Sequence, residues 1–156
     1  MLELDIPGFK NLRLAHLVLD YNGTLACDGR PLEGVRERLA TLAASLDILI
    51  LTADTFGTVK SQVAAWPCRV EVIPRGQEAE AKLAWVRDLG ADQTIAVGNG
   101  RNDRLMLKEA ALGIIVVQTE GTAVAALLAA DLAVPGILEA LDLLLLPGRL
   151  KATLRS

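Results

Sequence analysis

The sequence predicts an α/β protein, a three-layer doubly wound parallel sheet, from two observations. Apolar runs of strand length alternate with longer segments whose apolar residues recur at spacings of three and four. This alternation of strand and helix is typical of a parallel sheet with helices on both faces. The chain is also 52% hydrophobic but only 3% aromatic, an apolar content rich in Ala, Val, Leu and Ile that suits strands covered on both sides.

The elements follow in a regular order along the chain. Strands are predicted at about 13–19, 47–51, 69–73, 93–97 and 113–117, with a weaker one near 131–134. Helices are predicted between them at about 32–46, 55–65, 77–89, 102–111 and 120–130. Asp28-Gly29, between the first strand and the first helix, is a hairpin-turn dipeptide and predicts a small flap.

The end of the chain predicts one more helix and then a tail. Pro135-Gly136 opens an apolar helix that ends before Pro147-Gly148. We therefore expect one core domain over residues 1–148 and a short basic tail over residues 149–156, whose simplest interpretation is a solvated end.

Composition limits the class of protein. With 156 residues, a formal net charge of -3 and no long block of Lys or Arg, the chain fits one compact domain and does not favour nucleic-acid binding. The first ten residues do not resemble a signal peptide, and no apolar run approaches the roughly 20 residues that span a bilayer. Two isolated cysteines, Cys27 and Cys68, fit reduced thiols in a cytoplasmic protein.

The first candidate site residue is Asp20, which follows an apolar run and enters the turn Gly23-Thr24. The carboxyl end of a buried parallel strand lies in the crevice where open α/β sheets bind ligands. Gly23 lets the backbone turn sharply, and the amides that follow can face an anion. A lone Asp here is more often a cap or turn former, so this position alone does not decide the function.

Two further segments suit phosphoryl chemistry. Thr52 follows the strand predicted at 47–51 and precedes a predicted helix. Its hydroxyl and the free amides at the start of that helix could hold an anion. The alternative is that Asp54 or Thr55 simply caps the helix. Lys82 lies inside the helix at 77–89 and could neutralise a phosphoryl group. A lysine in a surface helix is ordinarily solvated, and only its order along the chain favours this role.

The fourth segment is the Gly-rich loop Gly98-Asn99-Gly100-Arg101-Asn102-Asp103, which follows a predicted strand. Such a loop admits close backbone approach, and Asp103 offers the hard oxygen that Mg²⁺ prefers. The alternative is an ordinary turn in which Asn102 or Asp103 caps the next helix.

In this order the four segments resemble the haloacid-dehalogenase-like hydrolase superfamily, and most closely the phosphorylation domain of P-type ATPases. The pattern of that superfamily is Asp-x-(Asp or Thr)-Gly-Thr, a strand-end Ser or Thr, a Lys, and Gly-Asp-Gly-x-Asn-Asp. The resemblance covers nearly the whole chain and implies a Rossmann-like core. Neither 24–31 nor 55–80 has room for a cap domain.

The resemblance implies a role for each matching residue. Asp20 would be the nucleophile that forms an aspartyl-phosphate, with Thr52 and Lys82 holding the phosphoryl group. The implied substrate-binding residues are Gly23, Thr24, Ala53 and Asn102. The implied ligands of a Mg²⁺ cofactor are Asp20, the main-chain carbonyl of Asn22, Asn99 and Asp103.

Two positions depart from the pattern. Asn22 stands where hydrolytic relatives have an acid–base Asp, and an amide cannot transfer a proton, so we expect slow turnover, a longer-lived phosphoenzyme, or both. Asn99 replaces an Asp that usually binds Mg²⁺, which removes one negative charge and should weaken Mg²⁺ binding, with Asp103 an alternative direct ligand.

The sequence thus favours a Mg²⁺-dependent phosphatase or phosphotransferase acting on a phosphorylated small molecule or a phosphoprotein. The alternative is a catalytically degenerate module that binds Mg²⁺ and phosphate, or a phosphorylated partner, in a regulatory role. Because a capless cleft is open, we also expect a homo-oligomer in which a second subunit covers it.

Overall fold

A computed structural model describes residues 1–54 and 57–156. The strands are β1 (Leu2–Ile6), β2 (Lys10–Leu14), β3 (His16–Asp20), β4 (Ala26–Cys27), β5 (Arg30–Pro31), β6 (Asp47–Thr52), β7 (Arg69–Val72), β8 (Thr94–Gly98), β9 (Leu112–Val116) and β10 (Leu132–Val134). The helices are α1 (Val35–Leu42), α2 (Val59–Gln62), α3 (Glu78–Leu89), α4 (Arg104–Glu109), α5 (Val124–Leu127), α6 (Ile137–Leu145) and α7 (Pro147–Leu154). Short 3₁₀ turns lie at Ala91–Gln93 and Arg101–Asp103.

The central sheet is parallel and has the strand order β10-β9-β8-β3-β6-β7. The chain builds β3, β6 and β7 outward on one side and then returns to build β8, β9 and β10 on the other. The reversal next to β3 is a topological switch point, and ligands bind outside the carboxyl ends of strands at such points. The end of β3 therefore lies at the expected binding crevice.

Strand side chains alternate between two apolar cores, one on each face of the sheet. On β3, Leu17 and Leu19 enter the core that is completed by α1, α6 and α7, whereas Val18 enters the core completed by α3, α4 and α5. This two-sided burial explains why the strands are continuous apolar runs. The predicted three-layer doubly wound sheet is confirmed.

The amino-terminal residues form an element that the sequence analysis did not predict. Strands β1 and β2 pair antiparallel as a hairpin, and Leu14 pairs with Leu2. The strand predicted at 13–19 thus merges the end of β2 with most of β3. The apolar alternation runs from Leu12 and Leu14 into β3, so periodicity alone cannot locate the break.

The basic tail expected at 149–156 also differs from the prediction. Helix α7 reaches Leu154, and its Leu150 is fully buried in the core shared with the amino-terminal hairpin. The backbone N–H of Ser156 donates to the carbonyl of Pro7 at 3.1 Å. The chain end is therefore packed against the hairpin rather than solvated throughout.

Several helices are shorter than their periodic segments. The helix predicted at 32–46 spans Val35–Leu42 because Gly34 before it has a left-handed backbone, with φ of 84°. The helix predicted at 120–130 is reduced to Val124–Leu127, and the one at 102–111 begins with a 3₁₀ turn. The helix predicted at 55–65 is seen as Val59–Gln62, and residues 55 and 56, including the candidate cap Thr55, lie outside the described residues.

The predicted flap is present. Strands β4 and β5 pair antiparallel around Asp28 and Gly29, whose φ values of 51° and 77° are both positive, as a tight hairpin turn requires. In the parts of the chain that the structure describes, the segments flanking the flap hold no inserted cap domain. None of the helices in residues 1–54 and 57–156 has the length and apolar character needed to cross a bilayer.

Candidate active site

Asp20 is the last residue of β3, and its side chain points to the face of the sheet that α3 covers. It has the same strand parity as Val18, which packs in the core beneath α3. The residue is only 8% exposed. One carboxylate oxygen, Oδ1, accepts a hydrogen bond of 2.7 Å from the ammonium of Lys82. Strand direction and helix packing therefore bring together residues that are 62 positions apart.

Lys82 is buried, not solvated. It shares the inner face of α3 with Ala79 and Val86, and 2% of it is exposed. Its ammonium donates to Asp20, to Asp103 Oδ1 at 2.6 Å and to the amide oxygen of Asn102 at 3.2 Å. These acceptors use all three of its protons.

The charges explain how a lysine is tolerated there. Burial by itself would lower the pKa of Lys82, but the attraction of Asp20 and Asp103 and the hydrogen bonds to them outweigh it and raise that pKa above its ordinary value. Lys82 therefore remains an ammonium. Burial and the charge of Asp20 raise the pKa of Asp103, although Lys82 and the N–H of Gly100 oppose the shift.

Asp103 is completely buried and its two oxygens are both engaged. Oδ1 accepts from Lys82, and Oδ2 accepts from the backbone N–H groups of Asn99 at 3.0 Å and Gly100 at 2.9 Å. A Cβ at Gly98 would overlap this carboxylate, so glycine is required for Asp103 to fold back under the loop. The Gly-rich sequence after β8 thus forms a cradle for Asp103.

The turn after Asp20 presents a hydroxyl between two oxygen acceptors. Thr24 Oγ1 lies 3.2 Å from Asp20 Oδ2 and 3.2 Å from the amide oxygen of Asn99. Gly23 has φ of 79°, and a Cβ there would lie 2.9 Å from Asn99 Cγ. Both the left-handed backbone and the close approach of Asn99 therefore require glycine at this position.

Thr52, at the end of β6, is buried at the edge of the same site. Its hydroxyl oxygen accepts the backbone N–H of Asp54 at 3.1 Å. Asp54 Oδ1 in turn accepts the N–H groups of Thr58 and Val59 at 3.0 and 3.4 Å. Asp54 therefore binds the first amides of α2 from four residues before its N-cap, Thr58, while Thr52 borders the cleft.

A cleft of about 550 Å³ opens at these strand ends. The predicted site residues that line it are Asp20, Asn22, Thr52, Ala53, Lys82, Asn99 and Asn102. Gly23, Thr24 and Asp103 lie behind its wall and hold the lining residues in place. Asn22 is exposed at its mouth, so this side of the cleft carries a neutral amide rather than a carboxylate.

The donors present suit a hard divalent cation. Asp20 Oδ2 and Asn99 Oδ1 face one hydroxyl, that of Thr24, whose single proton cannot serve both oxygens at once. One oxygen is therefore available to a cation, and carboxylate and amide oxygens are ligands that Mg²⁺ accepts. Asp103 is a poorer candidate for direct ligation, because it is fully buried and both of its oxygens are already hydrogen-bonded.

Gln118 is a residue of the site that no sequence pattern predicted. Its amide nitrogen donates to the carbonyls of Gly23 at 2.8 Å and Thr24 at 2.7 Å, and its amide oxygen accepts the N–H of Ile137 at 3.1 Å. Nothing near Gln118 in the sequence forms a motif. Its only signal is its place just after β9, whose carboxyl end lies on the same edge of the sheet.

Other residues at the rim were not predicted either. The mouth of the cleft is also lined by Gly76, Glu78, Glu80 and Arg104. Arg101, which the sequence placed in the loop after β8, lines the cleft as well and is exposed. The rim thus carries both signs of charge.

The fold matches solved structures over most of its length. A cobalt-bound deoxy-D-mannose-octulosonate 8-phosphate phosphatase from Haemophilus influenzae superposes with a TM-score of 0.73 and 13% identity, covering 92% of this chain and 94% of that one. A 3-deoxy-D-manno-octulosonate 8-phosphate phosphatase from Moraxella catarrhalis, in complex with magnesium, phosphate and KDO, gives 0.65 and 18% over 91% and 94%. This is the haloacid-dehalogenase-like fold.

A membrane transporter contains the same fold as one part of a larger chain. A zinc-transporting PIB-type ATPase superposes with a TM-score of 0.63 and 22% identity. The match covers 79% of this chain but only 20% of the ATPase. The structural likeness to P-type ATPases that the motifs predicted is therefore confirmed for the fold.

Sequence comparison identifies closer relatives. The uncharacterized protein MJ0073 of Methanocaldococcus jannaschii is 46% identical over 84 residues, which are 51% of this chain and 90% of MJ0073. The chain belongs to the family of MJ0073. A second protein of that organism, the uncharacterized protein MJ0072, is 54% identical over 39 residues, covering 25% of this chain and 89% of MJ0072. No family model matches the chain.

The turn after Asp20 yields a matched test. Gly23→Ala and Gly29→Ala both place a side chain at a left-handed backbone, with φ of 79° and 77°, but only position 23 has neighbours within 4 Å. We expect Gly29→Ala to lower the free energy of unfolding by about 1–2 kcal/mol and Gly23→Ala by roughly 1–3 kcal/mol more, because Asn99 must move. Urea unfolding measures both, and equal losses would contradict the packing described here.

The buried ammonium yields a second test. We expect Lys82→Met to lower the free energy of unfolding by about 3–5 kcal/mol near neutral pH, because two carboxylates lose their counter-ion. The folded-state pKa of Asp103, already raised, then rises further above its unfolded value, so the deficit relative to wild type should shrink as pH falls.

Urea unfolding at about pH 5 and about pH 7.5 checks this prediction. The exposed residue Lys108 provides the control, and Lys108→Met should change stability by less than about 0.5 kcal/mol at either pH. A Lys82→Met deficit that is the same at both pH values would contradict the ion-pair account.

Proposed function

We propose that this protein is a Mg²⁺-dependent phosphatase or phosphotransferase that forms an aspartyl-phosphate on Asp20. The observation that carries the proposal is the bridge that the Lys82 ammonium makes between Asp20, at 2.7 Å, and the buried Asp103, at 2.6 Å. It lies at the wall of a polar cleft at the switch point of the sheet. A positioned carboxylate next to a fixed cation suits attack on an anionic phosphoryl group.

In the first step, a carboxylate oxygen of Asp20 attacks phosphorus. The new bond joins that oxygen to phosphorus while the bond from phosphorus to the leaving-group oxygen breaks, and the leaving group departs with the electron pair. In the second step, water attacks the same phosphorus, the bond to Asp20 breaks to restore the carboxylate, and the proton that water loses passes to solvent. An acceptor hydroxyl in place of water gives phosphotransfer.

The surrounding residues hold charge in both steps. Lys82 keeps its proton, as its raised pKa requires, and offsets the negative charge of the phosphoryl oxygens. Thr52 and the backbone around Ala53 border the cleft and suit hydrogen bonding to those oxygens. The Thr24 hydroxyl lies 3.2 Å from Asp20 Oδ2 and limits rotation of that carboxylate.

Asp20, the main-chain carbonyl of Asn22 and the amide oxygen of Asn99 would hold the metal ion. When bound, Mg²⁺ supplies charge neutralisation at the phosphoryl group. Asp103 would act indirectly by fixing Lys82 and the loop that carries Asn99. Only one of the three ligand groups is a carboxylate, so we propose a weak site for the cation.

Asn22 sets the rate in this proposal. The leaving group and the attacking water would both pass the mouth of the cleft, where Asn22 is exposed. An amide has no proton to transfer near neutral pH, so hydrolysis of the aspartyl-phosphate proceeds without the acid–base contribution of roughly 10²- to 10⁴-fold. The phosphoenzyme would therefore be long-lived.

The open cleft suits a phosphorylated small molecule or a phosphoprotein, and a homo-oligomer would cover it with a second subunit. The rim of the cleft carries both negative and positive side chains, namely Glu78, Glu80, Arg101 and Arg104. These features suit a phosphorylated substrate.

Incubation with Mg²⁺ and acetyl phosphate, followed by intact-protein mass spectrometry, tests the proposal. We expect a phosphoryl adduct on wild type and none on Asp20→Asn, which keeps the shape of the side chain and loses the nucleophile. Titration calorimetry with Mg²⁺ and inorganic phosphate runs in parallel. Binding without adduct or phosphate release would overturn the enzymatic proposal in favour of a regulatory binding module.

A second prediction concerns turnover. We expect Asn22→Asp to raise the rate of aspartyl-phosphate hydrolysis by about 10²- to 10⁴-fold, because the new carboxylate can exchange a proton with water. Asn22→Ala is the control and should stay at the wild-type rate. The decay of isolated phosphoenzyme gives both rates, and equal decay of Asn22→Asp and Asn22→Ala would refute the explanation.

A further inference from the structure

The 117–123 loop, between β9 and α5, contacts the candidate site at two places and the flap at a third. Gln118 donates to the turn after Asp20, and the carbonyl of Gly121 accepts the side-chain amide of Asn99 at 3.1 Å. Glu120 accepts the N–H of Asp28 in the flap at 3.2 Å. One loop that lies outside all four motif segments therefore supports two parts of the site and the flap.

Gln118 is fixed at both ends of its amide group. Its nitrogen has two carbonyl acceptors, those of Gly23 and Thr24, and its oxygen has the first N–H of α6, that of Ile137. The nitrogen thus contacts hydrogen-bond acceptors and the oxygen contacts a donor, which defines the orientation of the amide. The half-buried side chain therefore holds two successive peptide groups of the turn at a fixed distance from α6.

Those two peptide groups set the geometry of the cation-binding oxygens. They flank Thr24, whose hydroxyl stands between Asp20 Oδ2 and Asn99 Oδ1, and they follow directly on the carbonyl of Asn22. The same loop orients Asn99, because the Gly121 carbonyl accepts from its amide nitrogen and so leaves the amide oxygen facing Thr24. A shift of the loop would therefore move both sides of the site together.

We propose that Gln118 is a positioning residue for phosphoryl transfer at Asp20. Gln118 acts by holding the Gly23 and Thr24 carbonyls, and thereby the oxygens that face the cation; this inference rests on the proposed function. Groups that orient metal ligands without touching the metal typically contribute about 10- to 100-fold to metal affinity. Gln118 acts through the turn and contacts neither substrate nor metal.

Two substitutions test the assignment. Gln118→Met keeps the length of the side chain but has no donor, and Gln118→Glu sets a carboxylate against two carbonyl oxygens. We expect Mg²⁺ affinity, measured by titration calorimetry, to fall about 10-fold or more in Gln118→Met and at least as far in Gln118→Glu. The exposed neighbour Thr119 supplies the control, and Thr119→Ala should bind Mg²⁺ like wild type.

A reversibly unfolding variant has its apparent Mg²⁺ affinity reduced in proportion to its folded fraction. Urea unfolding of each variant gives that fraction, and the Mg²⁺ affinity corrected for it separates positioning from stability. Wild-type affinity in folded Gln118→Met would overturn the proposal, as would unfolding of both variants under assay conditions, which would assign Gln118 to stability alone. If wild type forms no phosphoryl adduct while the variants still lose Mg²⁺ affinity, the proposed function fails and Gln118 remains the residue that positions the cation site.

Discussion

The structure of the site depends on one buried ammonium. Lys82, 2% exposed, contacts carboxylates at the end of β3 and in the loop after β8, and so joins three elements that are far apart in the chain. A charge in this position is stable only when it is paired and hydrogen-bonded. The pairing therefore fixes the packing of α3 against the sheet and the orientation of Asp20 at the same time.

The net charge around this ammonium depends on the two amides, Asn22 and Asn99. Asp20 and Asp103 with Lys82 leave a formal charge of minus one, and carboxylates at positions 22 and 99 would make it minus three. With Asn22 and Asn99 the site repels an incoming phosphoryl dianion less, and it also attracts a divalent cation less. Under the proposed function, the two amides would favour acceptance of a phosphoryl group over its rapid hydrolysis.

Most strands of the central sheet and the strand-end residues could be predicted because both depend on local sequence. An apolar run that ends in a polar residue marks Asp20, Thr52 and the loop after Gly98 without any knowledge of contacts. Burial of Lys82 was also available in principle, since it shares a helix face with Ala79 and Val86. Lysines in surface helices are ordinarily solvated, so this shared face was not enough to predict that Lys82 is buried.

Other features depend on contacts that no local pattern records. The amino-terminal hairpin and α7 pack on each other from opposite ends of the chain, and Gln118 reaches carbonyl groups 95 and 94 residues away. A single glutamine after a strand has no periodicity, cap or turn signature, so only the folded arrangement identifies it. Side chains that hold backbone carbonyls are the part of a site that sequence reasoning misses most readily.

The measurement closest to the centre of this account is the protonation state of Lys82 itself. A ¹⁵N NMR titration of the lysine side-chain nitrogens should show one ammonium, absent from Lys82→Met, that keeps its proton as pH rises past the ordinary lysine value of 10.5. Loss of that proton below 10.5 would mean that burial outweighs Asp20 and Asp103, and would contradict a site organised around a permanent cation.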